Sequence, residues 1–327
     1  MTFAEYLDAR RTEVEAALDA CLPKPPRCPA VVAGAMRYSL MAGGKRLRPL
    51  LVLAGAEGAA QAAGTSEAAA RDAAMPAACA IEMIHTYSLI HDDLPSMDDD
   101  DLRRGRPTSH VVYGEGMAIL AGDGLQAEAF SLLAREPQGL HPVLMARKLR
   151  VLALVAEAAG PSGMVGGQAI DLAAVNSHLK SASSVSSAAS LGGAASSAAP
   201  LDATGLKAMH ARKTGALIRA SVLAGAVMGG ADDRLVATLD VYGTEIGLAF
   251  QIVDDILDVE GAAATLGKTA GKDQAAGKPT YPAFFGVEQS RAMAAECHAR
   301  AKQALDQAGL LESRLDDIAT WIVKRTS

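Results

Sequence analysis

Cysteine is scarce in this chain, and Cys21, Cys28, Cys79 and Cys297 share no metal-ligand spacing. Two of them sit in apolar helical sequence, so reduced thiols in a cytoplasmic protein are the expectation. Long hydrophobic runs are also missing. No stretch reaches 18 uncharged apolar residues, because Glu57, Glu82 and Arg219 interrupt the best ones, and no membrane span is expected. An excess of positive charge is absent as well, the net charge being −6. That argues against a nucleic-acid partner, and it means that an anionic ligand must be captured by local cations and metals. Aromatics make up only 4%, and runs of β-branched residues are few.

What remains is half hydrophobic and rich in Ala and Leu. The apolar spacing of i, i+3, i+4 in VVAGAMRYSLMAGG and AACAIEMIHTYSLIHDD predicts an all-α chain. Its length of 327 residues allows one large core or two modest ones, and a single domain over 1–327 is expected. The opening MTFAEYLDARRTEVEAALDA reads as an amphipathic helix and not a signal peptide. CLPKPPRCP is a proline-rich connector. From about Asn176 to Pro200 the chain is Ser, Ala and Gly with almost no charge, which reads as a flexible and dispensable insert.

Two aspartate clusters stand out against this background: Asp92-Asp93 with Asp98 in HDDLPSMDDDD, and Asp254-Asp255 with Asp258 in FQIVDDILDV. An Asp pair on a helix is more often a solvated face than a ligand, and Asp98 to Asp101 alone would read that way. However, IHTYSLI precedes one pair and LAFQIV the other, so these acids end buried segments, where ionised carboxylates need cations. Asp254 and Asp258 project about 40° apart on one helical face. With hard oxygen donors and no His or Cys to favour zinc, Mg²⁺ suits the set.

Cations accompany the acids. Gly43-Gly44-Lys45-Arg46-Leu47-Arg48-Pro49 precedes an apolar run, and Pro49 places it in the first turn of a helix, where free N–H groups and the macrodipole favour anions. Arg103-Arg104 follow the first acids, Lys213-Thr214-Gly215 lie in MHARKTGALIRA, and Lys268 and Lys278 come after the second acids. Arg offers a planar fork to phosphate oxygens and Lys a mobile point charge. Acids interleaved with such cations suit a polyanion clamped between metal ions and side chains.

GGKRLRP, IHTYSLIHDDLPSMDDDDLRRGRPTSH, LAGDGLQ, GGQAIDL, RKTGALI, GLAFQIVDDILDV, LGKTAGKD and GKPTYPA occur in this order. Together they resemble the short-chain trans-polyprenyl diphosphate synthases, most of all the bacterial farnesyl diphosphate synthases, from about Pro29 to the C-terminus. The insert departs from that pattern, since the family connects GGQAIDL to the RKTG helix by a shorter segment. The resemblance implies an antiparallel helical bundle around a central cavity, a homodimer, and condensation of isopentenyl diphosphate with an allylic diphosphate. It implies three Mg²⁺ ions held by Asp92, Asp98 and Asp254, with Asp93, Asp255 and Asp258 completing the metal clusters or orienting ligands and waters. It assigns Arg103, Lys213, Thr214, Gln251, Lys268 and Lys278 to the allylic diphosphate and its carbocation. It assigns Gly44, Lys45, Arg48, His85 and Arg104 to isopentenyl diphosphate.

Two local expectations go further. Thr214 at a Lys-Thr-Gly step could loosen its helix and expose carbonyl oxygens to a cation, against the plainer reading of a Thr bonding its own helix. Tyr87 lies five residues before Asp92, about 7.5 Å along a helix rising 1.5 Å per residue, and with Ser88 it would floor the chain pocket near fifteen carbons. A geranylgeranyl synthase, with a twenty-carbon product, stays open. So do readings of another class. A terpene cyclase shares the first Asp motif but not DDILD or the GGKRLRP pocket, a metal phosphohydrolase would need partner histidines, and a helical scaffold would need neither buried carboxylates nor cation clusters.

Overall fold

The computed structural model describes residues 1–182, 201–264 and 279–325. Lys268, Lys278 and the greater part of the insert lie outside them. Helix α1 (Phe3–Cys21) opens on a reciprocal cap, in which the Glu5 N–H donates to Thr2 Oγ1 and the Thr2 N–H to the Glu5 carboxylate. This T-x-x-E pattern satisfies two otherwise orphaned donors. The proline-rich connector leads to α2 (Ala30–Leu40), and Arg46 in the left-handed region starts α3 (Leu47–Ala63), with Pro49 in its first turn.

Helices α3 and α10 (Ala216–Gly229) form the centre, and nearly every residue of each is buried. Their backbones approach closely. A Cβ on Gly55 would stand 2.6 Å from the Val222 carbonyl and one on Gly229 2.6 Å from the Ala56 carbonyl. Small residues thus let the two helices close to interior density, which the scarcity of aromatics also favours. The acids that interrupt the apolar runs are buried with partners: Glu57 accepts from Tyr6 and Arg71, and Glu82 from Arg46.

Around this pair stand α4 (Glu67–Asp92), packed on α3 and on α6 (Glu115–Arg135), and α7 (Pro142–Ala159), packed on α10. Helix α8 (Met164–Ala182) continues through the first residues of the low-complexity stretch. Loop was expected from Asn176, but Leu179, Lys180 and Ala182 are good helix formers. Helix α9 (Ala203–His210) runs through a π-helical turn, Ala211–Gly215, into α10. Helix α11 (Asp233–Ala264) packs on α10 and α13 (Val287–Gln307), while α12 (Tyr281–Phe285) and α14 (Arg314–Lys324) complete the described chain. Among the described residues α11 alone is long and apolar enough to cross a membrane. Its packing and the aspartates Asp254, Asp255 and Asp258 make it a wall of the bundle.

One departure from pure helix follows α4. Leu102–Arg103 pairs antiparallel with Arg106–Pro107 as a minimal hairpin. Its turn residues Arg104 and Gly105 both have positive φ, 52° and 73°, as a two-residue hairpin turn requires. After the hairpin comes α5 (Ser109–Tyr113), packed on α6. The helical periodicity carries no signal for a ribbon this short.

Candidate active site

Helix α4 ends at Asp92, and the chain folds back through Pro95. The Asp98 N–H donates to the Asp92 carbonyl at 2.9 Å and the Asp100 N–H to the Asp93 carbonyl at 3.1 Å. Asp98 therefore returns beside Asp92 from a turn beyond the helix. Burial pushes the Asp92 carboxyl up to about 6; Lys213 draws it down and Asp98 pushes it up again. Such a carboxylate is short of positive charge. Asp93 is different. It is buried and takes both Nε and Nη2 of Arg103, at 2.8 and 2.6 Å. This fork pins the hairpin to the helix end.

The basic cluster lies at the start of α3. Arg46 is held inside by Glu82 and the Leu40 carbonyl, which leaves Lys45 and Arg48 as the forward cations. Burial lowers the Arg48 pKa, Glu82 and Asp254 oppose this, and Arg104 adds to it. His85 is held neutral by burial and by the surrounding Arg48, Arg104, Arg103 and Arg46. Arg104 crosses to the Gly43 carbonyl, and a Cβ on Gly44 would lie 2.5 Å from its guanidinium. Gly44, with φ of 124°, is thus required by conformation and by the passage of Arg104. A neutral imidazole among guanidinium groups leaves an anion as the missing element.

The Lys213-Thr214-Gly215 step lies within the π-helical turn. This i→i+5 winding is the local loosening of the helix expected at the Lys-Thr-Gly step. Lys213 pairs with Asp171 of α8. The Thr214 hydroxyl donates to Gln251 Oε1 at 2.7 Å, and Gln251 Nε2 donates to Asp255 at 2.8 Å. Asp255 also accepts the Tyr281 N–H at 2.9 Å. Its carboxylate thus closes an internal network in which both oxygens accept from protein donors. Asp254, the neighbouring residue, presents a partly exposed carboxylate. Its pKa is raised by burial against the pull of Arg325, Lys45 and Arg48. Asp258 lies one turn further along α11, half-buried.

Three contributors escaped the sequence reading. Asp171 was visible only as part of GGQAIDL, and it orients Lys213. Arg325, just past α14, bonds Asp254 at 2.6 Å and the Phe250 carbonyl at 2.8 Å, with its guanidinium 4.0 Å above the Phe250 ring. No local pattern marks a residue so far along the chain. His210 is buried, stacked on Tyr281 at 5.6 Å and held neutral, its pKa lowered to about 4 by burial.

A cavity of about 360 Å³ has Arg48, His85, Asp92, Lys213 and Thr214 in its polar wall and Tyr87 among its apolar lining. A larger hollow of about 800 Å³ lies across α11 against α13, away from Asp92 and Lys213. Among the described residues no three Asp, Glu, His or Cys side chains gather at metal-ligating distance. Asp92, Asp98 and Asp254 could therefore hold a metal ion only with substrate oxygens and waters completing its shell, the manner in which Mg²⁺ is usually bound. An oxygen-only donor set that includes a charge-starved Asp92 fits that ion.

An all-helical bundle enclosing acids, phosphate-sized cation clusters and an apolar cavity defines a prenyltransferase of the isoprenoid synthase type. The polyprenyl synthetase family matches residues 29–316. The chain is 44% identical over 329 residues to the farnesyl diphosphate synthase of Escherichia coli (strain K12), covering 99% of each. It is 42% identical over 322 residues to the geranylgeranyl diphosphate synthase of Cyanophora paradoxa, covering 98% of this chain and 96% of that one. The crystal structure of an FPP/GFPP synthase from Zymomonas mobilis superposes with a TM-score of 0.78 at 36% identity, covering 98% of both chains. The protein belongs to the polyprenyl synthetase family and is a short-chain prenyltransferase.

Proposed function

We propose that the enzyme condenses isopentenyl diphosphate head to tail with dimethylallyl and then geranyl diphosphate, releasing farnesyl diphosphate. The observation that carries this reading is the largely apolar cavity beside Asp92, with Tyr87 buried in its wall. Asp92, Asp98 and Asp254 would hold the magnesium. Bound there, it supplies Lewis-acid stabilisation of the charge that grows on the departing allylic diphosphate.

The chain's own groups do the rest. Lys213, oriented by Asp171, and Arg103 at the hairpin hold the allylic diphosphate, and Lys268 and Lys278 are assigned to it from the sequence. Carbonyl oxygens of the π-helical turn and the Thr214–Gln251 pair set dipoles beside the developing cation. Arg48, Lys45, Arg104 and His85 fix isopentenyl diphosphate, with Gly44 leaving room for Arg104. The proton lost after attack passes to the released diphosphate, so no protein base is required.

The test is an assay with isopentenyl diphosphate, geranyl diphosphate and Mg²⁺, with product length read by chromatography. A fifteen-carbon product that Tyr87→Ala extends by one or more isoprene units is the expected result. A twenty-carbon product from the unmodified enzyme would establish the geranylgeranyl alternative, and phosphate release without condensation would reject prenyl transfer.

The second part of the reading is a homodimer. Val111 and Val112 of α5 and Ile119 and Leu120 of α6 are large apolar side chains left 43–52% exposed on adjoining helices, a surface that a second copy would cover. Sedimentation should give twice the chain mass, and Ile119→Glu with Leu120→Glu should halve it. A monomeric unmodified protein would refute the assignment.

A further inference from the structure

His91, between Ile90 and Asp92, has no part in the roles above. Its imidazole lies in the wall of the 360 Å³ cavity. It meets the Tyr87 ring edge to face, with ring centroids 5.7 Å apart and planes at 75°. The two residues are four apart on α4 and so share a face. Beyond this contact, His91 Nε2 lies 3.1 Å from the Ile119 carbonyl of α6. A carbonyl only accepts, so Nε2 carries the proton and donates. Asp123 Oδ1 stands 3.9 Å from the same nitrogen.

Helix α6 is shaped for this ring. At Gly122 a Cβ would collide with His91 Nε2, and its three nearest neighbours would all be atoms of that imidazole. Gly122 is helical and buried, so its backbone has no need of glycine, which in a helix interior is worse than Ala by roughly 0.5–1 kcal/mol. The space it leaves is the space the imidazole occupies. The ring is thus fixed on three sides: by Gly122 behind it, by the Ile119 carbonyl at its nitrogen, and by Tyr87 at its face.

We propose that His91 is a specificity-determining residue: locked by Gly122 and the Ile119 carbonyl, it forms the floor of the prenyl-chain cavity jointly with Tyr87. Tyr87 by itself could swing about its side-chain torsions as a growing chain presses on it. The imidazole removes that freedom, because the Tyr87 ring cannot turn without meeting a group that α6 holds in place. Cavity depth is therefore set by contact between two helices. The inference rests on the chain-elongation reading above and deepens it.

The experiment is a variant cycle on product length from geranyl diphosphate, with melting temperature as the folding control. His91→Ala should lengthen the product by one isoprene unit or more while Tyr87 is retained, and His91→Asn, which keeps a donor toward Ile119, should lengthen it less. Gly122→Ala pushes the imidazole into the cavity and should shorten the product or raise KM for geranyl diphosphate relative to dimethylallyl diphosphate. In the His91→Ala background the same Gly122→Ala change should do nothing.

An unchanged product from His91→Ala would overturn the proposal, as would an equal Gly122→Ala effect with and without His91. Binding of farnesyl and geranylgeranyl diphosphates by calorimetry gives the same comparison without turnover: His91→Ala should favour the longer ligand at least tenfold more than the unmodified enzyme does, and an unchanged preference would refute the lock. If prenyl transfer itself were the wrong reading, the unmodified enzyme would already fail to condense. A failure of this inference alone leaves condensation intact and product length insensitive to His91.

Discussion

Asp92→Asn is expected to lower turnover by about three orders of magnitude and, at the same time, to stabilise the enzyme in EDTA at neutral and alkaline pH. Both effects have one cause. Burial and the neighbouring Asp98 raise the folded-state carboxyl from 3.8 to about 6, although Lys213 lies close. For an acid whose folded pKa is raised, ionisation works against folding. The penalty is complete above the folded value of about 6, shrinks as pH falls, and vanishes below the unfolded value. At 1.36 kcal/mol per unit, reduced for partial exposure, it amounts to about 2 kcal/mol. Asn lacks the charge, so its melting temperature in EDTA should exceed that of the unmodified enzyme by several degrees at pH 8. About a third of that difference should survive at pH 4.5. Thermal unfolding of both proteins at the two pH values measures it. Equal stabilities at pH 8 would mean that the site relaxes around Asp92, and full activity of the variant would remove Asp92 from the chemistry.

Arg48→Met should raise KM for isopentenyl diphosphate by roughly one to two orders of magnitude, because a hydrogen bond from a charged donor contributes about 1.5–3 kcal/mol. Turnover should change only a few-fold, and KM for the allylic substrate should stay put. The selectivity follows from placement. Arg48 stands with His85 and Arg104 at the start of α3, while Lys213 and Arg103, the groups proposed for the allylic side, are held by Asp171 and Asp93. Burial lowers the Arg48 pKa, so a methionine of similar reach removes a poorly solvated charge, and stability should hold or rise. Steady-state kinetics with each substrate varied in turn decides the matter. If both KM values rose together, the two diphosphate sites would not be separate, and if neither moved Arg48 would have no part in binding.

The helical class, the two acidic walls and the basic helix start were legible because each depends on neighbours in the sequence. Apolar spacing gives helices, Pro49 fixes a first turn, and the acids stand at the ends of apolar segments. The loosening at Thr214 was legible for the same reason, as a local Lys-Thr-Gly step that the structure winds as a π-helical turn. Asp93 and Asp255 could not be told from their neighbours by type or spacing. Their oxygens are engaged by Arg103 and by Gln251 and the Tyr281 N–H, partners supplied by a hairpin and by chain that returns 26 residues later.

Arg325 shows the same limit more sharply, since it reaches Asp254 from the end of the described chain. Gly122 shows it too: in sequence it is an ordinary glycine of LAGDGLQ, and only beside His91 does its missing Cβ acquire a use. Sequence by itself determined which residues carry charge at helix ends, and hence which groups stand ready for an anion or a cation, because charge, periodicity and capping are local. Tertiary structure alone decided which of those charges stay available to a ligand and how deep the cavity beneath them runs, because both depend on groups that only folding brings within a few ångströms of one another.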